Sequence, residues 1–231
     1  MVDSEWRVPV NSTIRIGMAN HHVLTPEVVD SGLKHLRKTD RVLRAVIDAA
    51  GPFTLKPRRN RFGALTSSII SQQISTSAAD SIKRKLKTLI APKRLTADVL
   101  ASYAPEQLRT AGVSPQKAGY LLDLAGMVKA REVRLGRVHL LSDAEVVEEL
   151  VKIKGIGVWT AHMFLMFSLG RADVFPHGDL GVRMALRDLY GLKELPAEDE
   201  ANELAAPWRP YATIASWYCW RSIDLRKASG K

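Results

Sequence analysis

The chain is poor in cysteine: Cys219 stands alone among 231 residues. A single thiol excludes, within one chain, a disulfide framework, a zinc site of cysteines and a four-cysteine iron–sulfur cluster. Long apolar runs are missing too. None reaches the roughly 18 residues that a bilayer-spanning helix needs, and the opening MVDSEWRVPVNS lacks the basic-then-apolar order of a secretion signal. These absences lead us to expect a reduced, cytoplasmic protein. No segment reads as a reliable strand, and there is neither an internal repeat nor a low-complexity tract. Acidic residues are in deficit: 24 Asp and Glu face 34 Lys and Arg, a formal charge of +10, with a pI near 9.9. Such a balance favours a polyanionic partner, nucleic acid ahead of an anionic membrane surface.

What is present is an ordinary soluble composition, 46% hydrophobic and 25% charged, long enough to bury the core of one large domain or two small ones. Residues 1–25 are polar and irregular and read as an extended arm. Its His21–His22 pair is a poor metal site, because adjacent histidines do not share a helix face. Helices begin at Thr25-Pro26, an N-cap followed by a first-turn proline. Leu33, Leu36, Val42, Leu43, Val46 and Ile47 carry the helical period, with a fresh cap at Asp40 and a stop at Gly51-Pro52. A basic loop, Lys56 to Arg61, precedes two helices spanning Phe62 to Leu89, joined by the polar turn Ser71-Gln72-Gln73-Ile74-Ser75. Thr96, Ala104-Pro105 and Ser114-Pro115 open further helices, and Asp143 is expected to cap the one that carries Val146, Val147 and Leu150. The fold class is therefore all-α.

Two features carry chemistry. Lys154-Gly155-Ile156-Gly157 forms a glycine hairpin between helical segments. The glycines permit a tight turn with positive φ and close approach of another backbone. The following helix start offers free amides and a positive dipole end, suited to phosphate, and Lys152 and Lys154 add charge. A glycine C-cap before an ordinary helix fits the same residues. The second feature is Asp179, which opens the helix carrying Leu180, Val182, Met184, Ala185 and Leu186. Aspartate is a preferred N-cap, and a helix N-terminus also keeps a carboxylate ionised, able to stabilise a developing oxocarbenium ion. Asp173 competes for that role, and His177 is either a base, a phosphate contact or a plain loop residue. Trp159 sits in the first turn after the hairpin, while Trp208, Trp217 and Trp220 cluster near the C-terminus with Tyr211 and Tyr218. Aromatics are more often core than pocket, but a flipped base needs aromatic walls.

Together, SIISQQIS (Ser68 to Ser75), AGVSPQKAGYLLDLA (Ala111 to Ala125), LVKIKGIGVWTAHMF (Leu150 to Phe164), ADVFPHGDLGVR (Ala172 to Arg183) and WRPYATIASWYCWR (Trp208 to Arg221) resemble the helix-hairpin-helix superfamily of DNA base-excision glycosylases, and within it the 3-methyladenine (alkyladenine) branch. The resemblance implies a two-lobed helical domain over residues 26–231, a cleft between the lobes, and the hairpin at 150–164. It implies that Asp179 is the essential carboxylate and Asp173 a loop residue. Trp159 and Trp217 map onto pocket tryptophans, Tyr218 onto a neighbouring aromatic, and Met163 onto a position where a pocket tyrosine can occur. Gln73, with Gln72 beside it, falls where the family inserts a wedge into the duplex. Lys152, Lys154, Gly155, Ile156 and Gly157 would grip the DNA backbone. The family requires no cofactor, but its hairpin carbonyls, here those of Val151, Ile153 and Ile156, often hold a monovalent cation.

Members that also cut the strand carry a lysine nucleophile where this chain has Trp159, so no Schiff base forms there. The implied activity is monofunctional: hydrolytic excision of flipped alkylated purines of the 3-methyladenine and 7-methylguanine type from double-stranded DNA, by a monomer, leaving an abasic site. Two departures stand out. Gly178 replaces an acidic residue often found beside the aspartate, and 231 residues leave no room for the β-rich N-terminal domain of larger bacterial members. A glycosylase of this fold for deaminated or oxidised purine or uracil, and a non-catalytic helix-hairpin-helix DNA-binding protein, are the alternatives.

Overall fold

The computed structural model describes residues 23–228. The expected arm falls outside the described residues except for 23–25, and the His21–His22 pair falls outside them entirely. Among the described residues there are twelve α-helices: α1 (Pro26–Thr39), α2 (Arg41–Ala50), α3 (Arg61–Ser71), α4 (Thr76–Ile90), α5 (Ala97–Ala101), α6 (Pro105–Thr110), α7 (Pro115–Lys129), α8 (Asp143–Val151), α9 (Val158–Phe164), α10 (Leu180–Tyr190), α11 (Glu198–Ala205) and α12 (Ala212–Ala228). The one β pairing among them is an isolated antiparallel bridge between Val23 and Arg171. No described helix is long and apolar enough to cross a membrane.

Side-chain caps account for most helix starts. The Thr25 hydroxyl accepts from Val28 N, Ser75 from Ala78 N and Ser114 from Lys117 N. At α8 the expected cap is off by one residue. Ser142, not Asp143, accepts from Glu145 N, and the Glu145 carboxylate accepts from Ser142 N in return, the reciprocal capping box. Asp143 is the first helical residue, with Oδ1 3.3 Å from Arg171 Nε. Helix α11 has no counterpart in the sequence reading. Its buried stripe is Ala201 and Ala205, which gives little hydropathy contrast; the signal it did offer is the acidic first turn Glu198-Asp199-Glu200.

The helices bury two separate cores. The first gathers Leu65, Ile69, Leu121, Leu124, Leu150, Ile153, Phe164 and Val174, from α3 to α9 and the segment after it. The second gathers Leu36, Leu43, Ile47, Phe175, Val182, Leu186, Trp208 and Tyr218, from α1, α2 and α10 to α12. The chain thus starts in one lobe, builds the other, and returns between Val174 and Phe175. This is the expected two-lobed, all-helical architecture. The second lobe is pinned by Asp40. Its Oδ1 accepts from Val42 N and Leu43 N, both at 2.9 Å. Its Oδ2 accepts from the Tyr190 hydroxyl and, at 2.8 Å, from Trp208 Nε1. Trp220 packs against both cores, so the seam between the lobes runs beside it.

Candidate active site at the seam between the lobes

Asp179 closes the loop Phe175-Pro176-His177-Gly178 and caps α10, its Oδ1 accepting from Val182 N at 2.8 Å. Capping is only part of its surroundings. Trp220 Nε1 donates to Oδ1 at 2.9 Å, and Trp159 Nε1 donates to Oδ2 at 2.7 Å. Trp159 comes from the first lobe and Trp220 from the second, so the carboxylate sits at the junction with both oxygens engaged. It is 8% exposed, whereas Trp159 is 45% exposed. Three donors around one carboxylate compensate for its removal from water. Asp173 is engaged at the start of α12. Its Oδ1 accepts from Ala212 N at 3.2 Å and its Oδ2 from Arg209 Nη1 at 3.0 Å, so it steadies the start of α12.

Beside this centre a cleft of about 410 Å³ opens between α3, α9 and α12. Met163 and Trp217 line it, together with Ser67, Ser68, Ser71 and Thr160; Trp159 and Asp179 do not, and the carboxylate is joined to it through Trp220, which stacks on the lining Phe167. Three cations, Lys56, Arg58 and Lys83, also line it; the first two belong to the basic loop Lys56 to Arg61. Phe167 and Trp217 divide this cleft from a second cavity of about 530 Å³, which Trp220 and Arg221 border. The Arg221 guanidinium lies 5.8 Å from the Trp217 ring centre, over its face, within the range of a cation–π contact.

Tyr218 is a correction. It is fully buried, its hydroxyl donates to Gly51 O at 2.9 Å, and its ring meets the edge of Trp217 at 4.8 Å. It backs the wall that Trp217 presents and takes no place in the cleft. Neighbours on one helix point about 100° apart, so Trp217 and Tyr218 do not face the same way. Trp220, one turn on, was missed as a site residue, although i, i+3 spacing puts it on the face of Trp217. His177 is drawn off as well: Nδ1 lies 2.6 Å from Glu198 Oε2, its ring packs against His162 at 5.3 Å, and both line a separate small cavity with Asp173 and Arg209.

In the hairpin, Ile153 and Ile156 are buried and anchor the turn. Gly155 has φ +82, and an added Cβ would stand 2.2 Å from Tyr120 Cδ2; glycine is required there twice over. Gly157 differs from the expectation of positive φ: it is extended at φ −99, ψ 177, and caps α9 without a side chain. Its bareness leaves the first amides of α9 open. Lys154 N donates to Asp123 Oδ2 at 2.9 Å, while its ammonium is 77% exposed and 3.7 Å from Asp123 Oδ1. Lys152 is more fully occupied, 2.6 Å from Glu149 Oε2.

The two glutamines part company. Gln72 Nε2 donates to Gly155 O at 2.7 Å, tying the SQQIS turn to the hairpin, and Lys117 Nζ ties the same turn through Ile70 O and Gln72 O at 2.8 and 2.6 Å. Gln72 is therefore a strut. Gln73 is exposed, with φ 54, and stands at the tip. The carbonyls of Val151, Ile153 and Ile156 are hard oxygen donors on a tight turn. Ile153 O accepts from Ile156 N at 3.0 Å and keeps a second lone pair, so this donor set fits a monovalent cation.

Two helical lobes, a hairpin with open amides and a buried carboxylate at the seam define a helix-hairpin-helix base-excision protein. The family model described as HhH-GPD superfamily base excision DNA repair protein matches residues 66–210, and the chain belongs to that superfamily. It is 30% identical over 214 residues to DNA-3-methyladenine glycosylase 1 of Schizosaccharomyces pombe, covering 86% of this chain and 91% of that protein. Among solved structures, a DNA-3-methyladenine glycosidase from Bacillus halodurans superposes with a TM-score of 0.77 at 33% identity, covering 85% of this chain and 91% of that one. The S. pombe 3-methyladenine DNA glycosylase Mag1, in complex with abasic DNA, gives a TM-score of 0.75 at 28% identity, covering 84% and 97%.

Proposed function

We propose that the protein is a monofunctional DNA glycosylase that binds double-stranded DNA as a monomer and excises alkylated purines, of the 3-methyladenine and 7-methylguanine type, leaving an abasic site. The observation that carries this reading is the Asp179 carboxylate held by three donors at the lobe seam beside an aromatic cleft. Similarity over most of the chain to 3-methyladenine glycosylases supports the substrate class.

Phosphates dock on the open amides at the start of α9 and on Lys154, with Lys56, Arg58 and Lys83 continuing the positive track into the cleft. Val151, Ile153 and Ile156 would hold a monovalent cation, whose charge would add to that attraction. Gln73 fills the gap left by the extruded nucleotide; extrusion costs a few kcal/mol, and less for a damaged pair. The base enters between Met163 and Trp217. An N-alkylated purine carries positive charge, so the indole face attracts it by about 0.5–2 kcal/mol. The N-glycosidic bond breaks with its electron pair going to the purine, which leaves neutral without a general acid. The sugar is left oxocarbenium-like, and the Asp179 charge stabilises it until water adds and loses a proton. With Trp159 at the position after the hairpin, no amine stands ready to attack the sugar.

The test is release of 3-methyladenine and 7-methylguanine from methylated duplex DNA in single turnover, with a panel of deaminated and oxidised lesions alongside. Asp179→Asn should slow release by on the order of 10²-fold or more while duplex binding persists. Near-full release by this variant, or strand cleavage without added alkali or amine, overturns the reading.

A further inference from the structure

We propose that Trp220 is a positioning residue for excision: its indole N–H fixes the orientation of the Asp179 carboxylate, and residue 181 is glycine so that the indole can reach it. The proposal rests on the reading of Asp179 as the essential carboxylate.

A carboxylate that caps a helix through one oxygen is still able to turn about its last bond. The backbone bond from Val182 N to Oδ1, 2.8 Å, sets one point of attachment. Trp220 Nε1 meets the same oxygen at 2.9 Å from a different element, α12, and this second bond removes the freedom to turn. Trp159 does the same for Oδ2 at 2.7 Å, but it is 45% exposed and lies where DNA approaches, so substrate is able to disturb that bond. Trp220 is the less exposed partner, and it is itself fixed. Its ring stacks on Phe167, centres 5.8 Å apart and planes 29° from parallel, and it packs against both cores.

Gly181 is the independent observation. It lies within the first turn of α10, and its backbone does not require glycine. A Cβ there would stand 3.1 Å from both Asp179 Oδ1 and Trp220 Cδ1, and 3.2 Å from Trp220 Nε1. The missing methyl group is thus the space through which the indole reaches the carboxylate.

Trp220→Phe keeps a ring to stack on Phe167 and removes the donor. Its single-turnover rate constant for 3-methyladenine release should fall about 10- to 100-fold, the loss of one hydrogen bond to a charged group, with affinity for abasic-site duplex unchanged. Gly181→Ala should slow release comparably in the wild-type background and much less in a Trp220→Ala background, where the small side chain leaves room for the methyl group. In an Asp179→Asn background Trp220→Phe should change the residual rate little, because the effect runs through that carboxylate. A wild-type rate for Trp220→Phe beside a crippled Asp179→Asn overturns the proposal and leaves the reading of Asp179 standing. So does a rate loss matched by an equal loss of duplex affinity, which marks a structural role alone. An active Asp179→Asn instead overturns the reading itself. If Trp220→Phe does not fold, the Gly181→Ala comparison in the two backgrounds decides the matter: equal slowing in both overturns the proposal.

Discussion

Two aspartates in this molecule share a motif and differ in consequence. Asp40 and Asp179 each cap a helix through Oδ1, and each accepts an indole N–H. Asp40 is enclosed by Tyr190 and Trp208 within one lobe, so its charge meets nothing that moves. Asp179 sits at the seam, against the half-exposed Trp159. Asp40→Ala leaves the Tyr190 hydroxyl and the Trp208 indole without their partner and strips the cap of α2. We expect a loss of about 3 kcal/mol, read as a fall in thermal midpoint of roughly 6–12 °C, with the excision rate per folded molecule unchanged. Asp179→Asn should show the reverse, a small change in midpoint and a large change in rate. A calorimetric scan beside a single-turnover assay separates the two, and equal effects of both variants on rate would deny Asp179 its special place. Both caps were legible in the sequence, because capping is a matter of two or three adjacent residues. What makes one cap a buried anchor within a lobe and sets the other at the seam is supplied by tryptophans 168, 20 and 41 positions away. A local pattern holds no record of such contacts. The family resemblance singled out Asp179 and Trp159; Trp220 lies in the segment Trp208 to Arg221 that carries the resemblance but was given no role there, and its bond to Asp179 is visible only in three dimensions.

At the scale of elements, the helix-hairpin-helix unit and the SQQIS turn are one mechanical piece. The turn between α3 and α4 is far from the hairpin in sequence, and one side chain bridges the distance, Gln72 to Gly155 O, while Lys117 ties the turn to α7 through the carbonyls of Ile70 and Gln72. Gln73, the wedge proposed above, is therefore held at a set distance from the open amides at the start of α9. Gln72→Ala should loosen that spacing, not the fold, since the bond removed is worth about 1 kcal/mol. We expect extrusion to suffer. A 2-aminopurine placed beside the lesion should show a smaller fluorescence rise on binding, and excision should slow about 3- to 10-fold. Gln73→Ala should lower the same signal through loss of the wedge itself. If Gln72→Ala leaves both readings unchanged, the strut has no mechanical role. Helix positions were largely legible because caps and prolines punctuate the chain. The failures follow from physics: Ser142 and Asp143 are adjacent good caps, resolved only by the reciprocal bond from Glu145, and the alanine stripe of α11 hides its period. The partition of work between Gln72 and Gln73 depends on a left-handed residue at the turn tip, which the sequence does not mark because glutamine rarely adopts that conformation.

For the molecule as a whole, the formal charge of +10 matters less than where the cations stand. Lys56, Arg58 and Lys83 line the cleft, and Lys154 projects from the hairpin with its ammonium 77% exposed. Lys152 lies 2.6 Å from Glu149 and is partly neutralised before DNA arrives. Each phosphate that a free cation neutralises releases condensed counterion, so affinity falls with salt at a slope of about −0.9 per contact. Lys83 faces Asp80 at 3.4 Å and Lys154 faces Asp123 at 3.7 Å, so four contacts are the upper bound; with the open amides at α9 adding affinity but no charge of their own, the expected slope of log K against log salt is at its steepest roughly −3.6. Lys154→Ala should make this slope shallower by about 1 and weaken binding alike for damaged and undamaged duplex, because a phosphate contact carries no information about the base. Lys152→Ala should change it by less than half as much, since Glu149 already neutralises most of that lysine's charge before DNA arrives. The measurement is a titration of fluorescent duplex at several salt concentrations for the two variants and the parent. Equal slopes for Lys154→Ala and the parent would mean that the hairpin grips phosphate through its amides alone, and that the exposed lysine at its tip serves solubility instead of recognition.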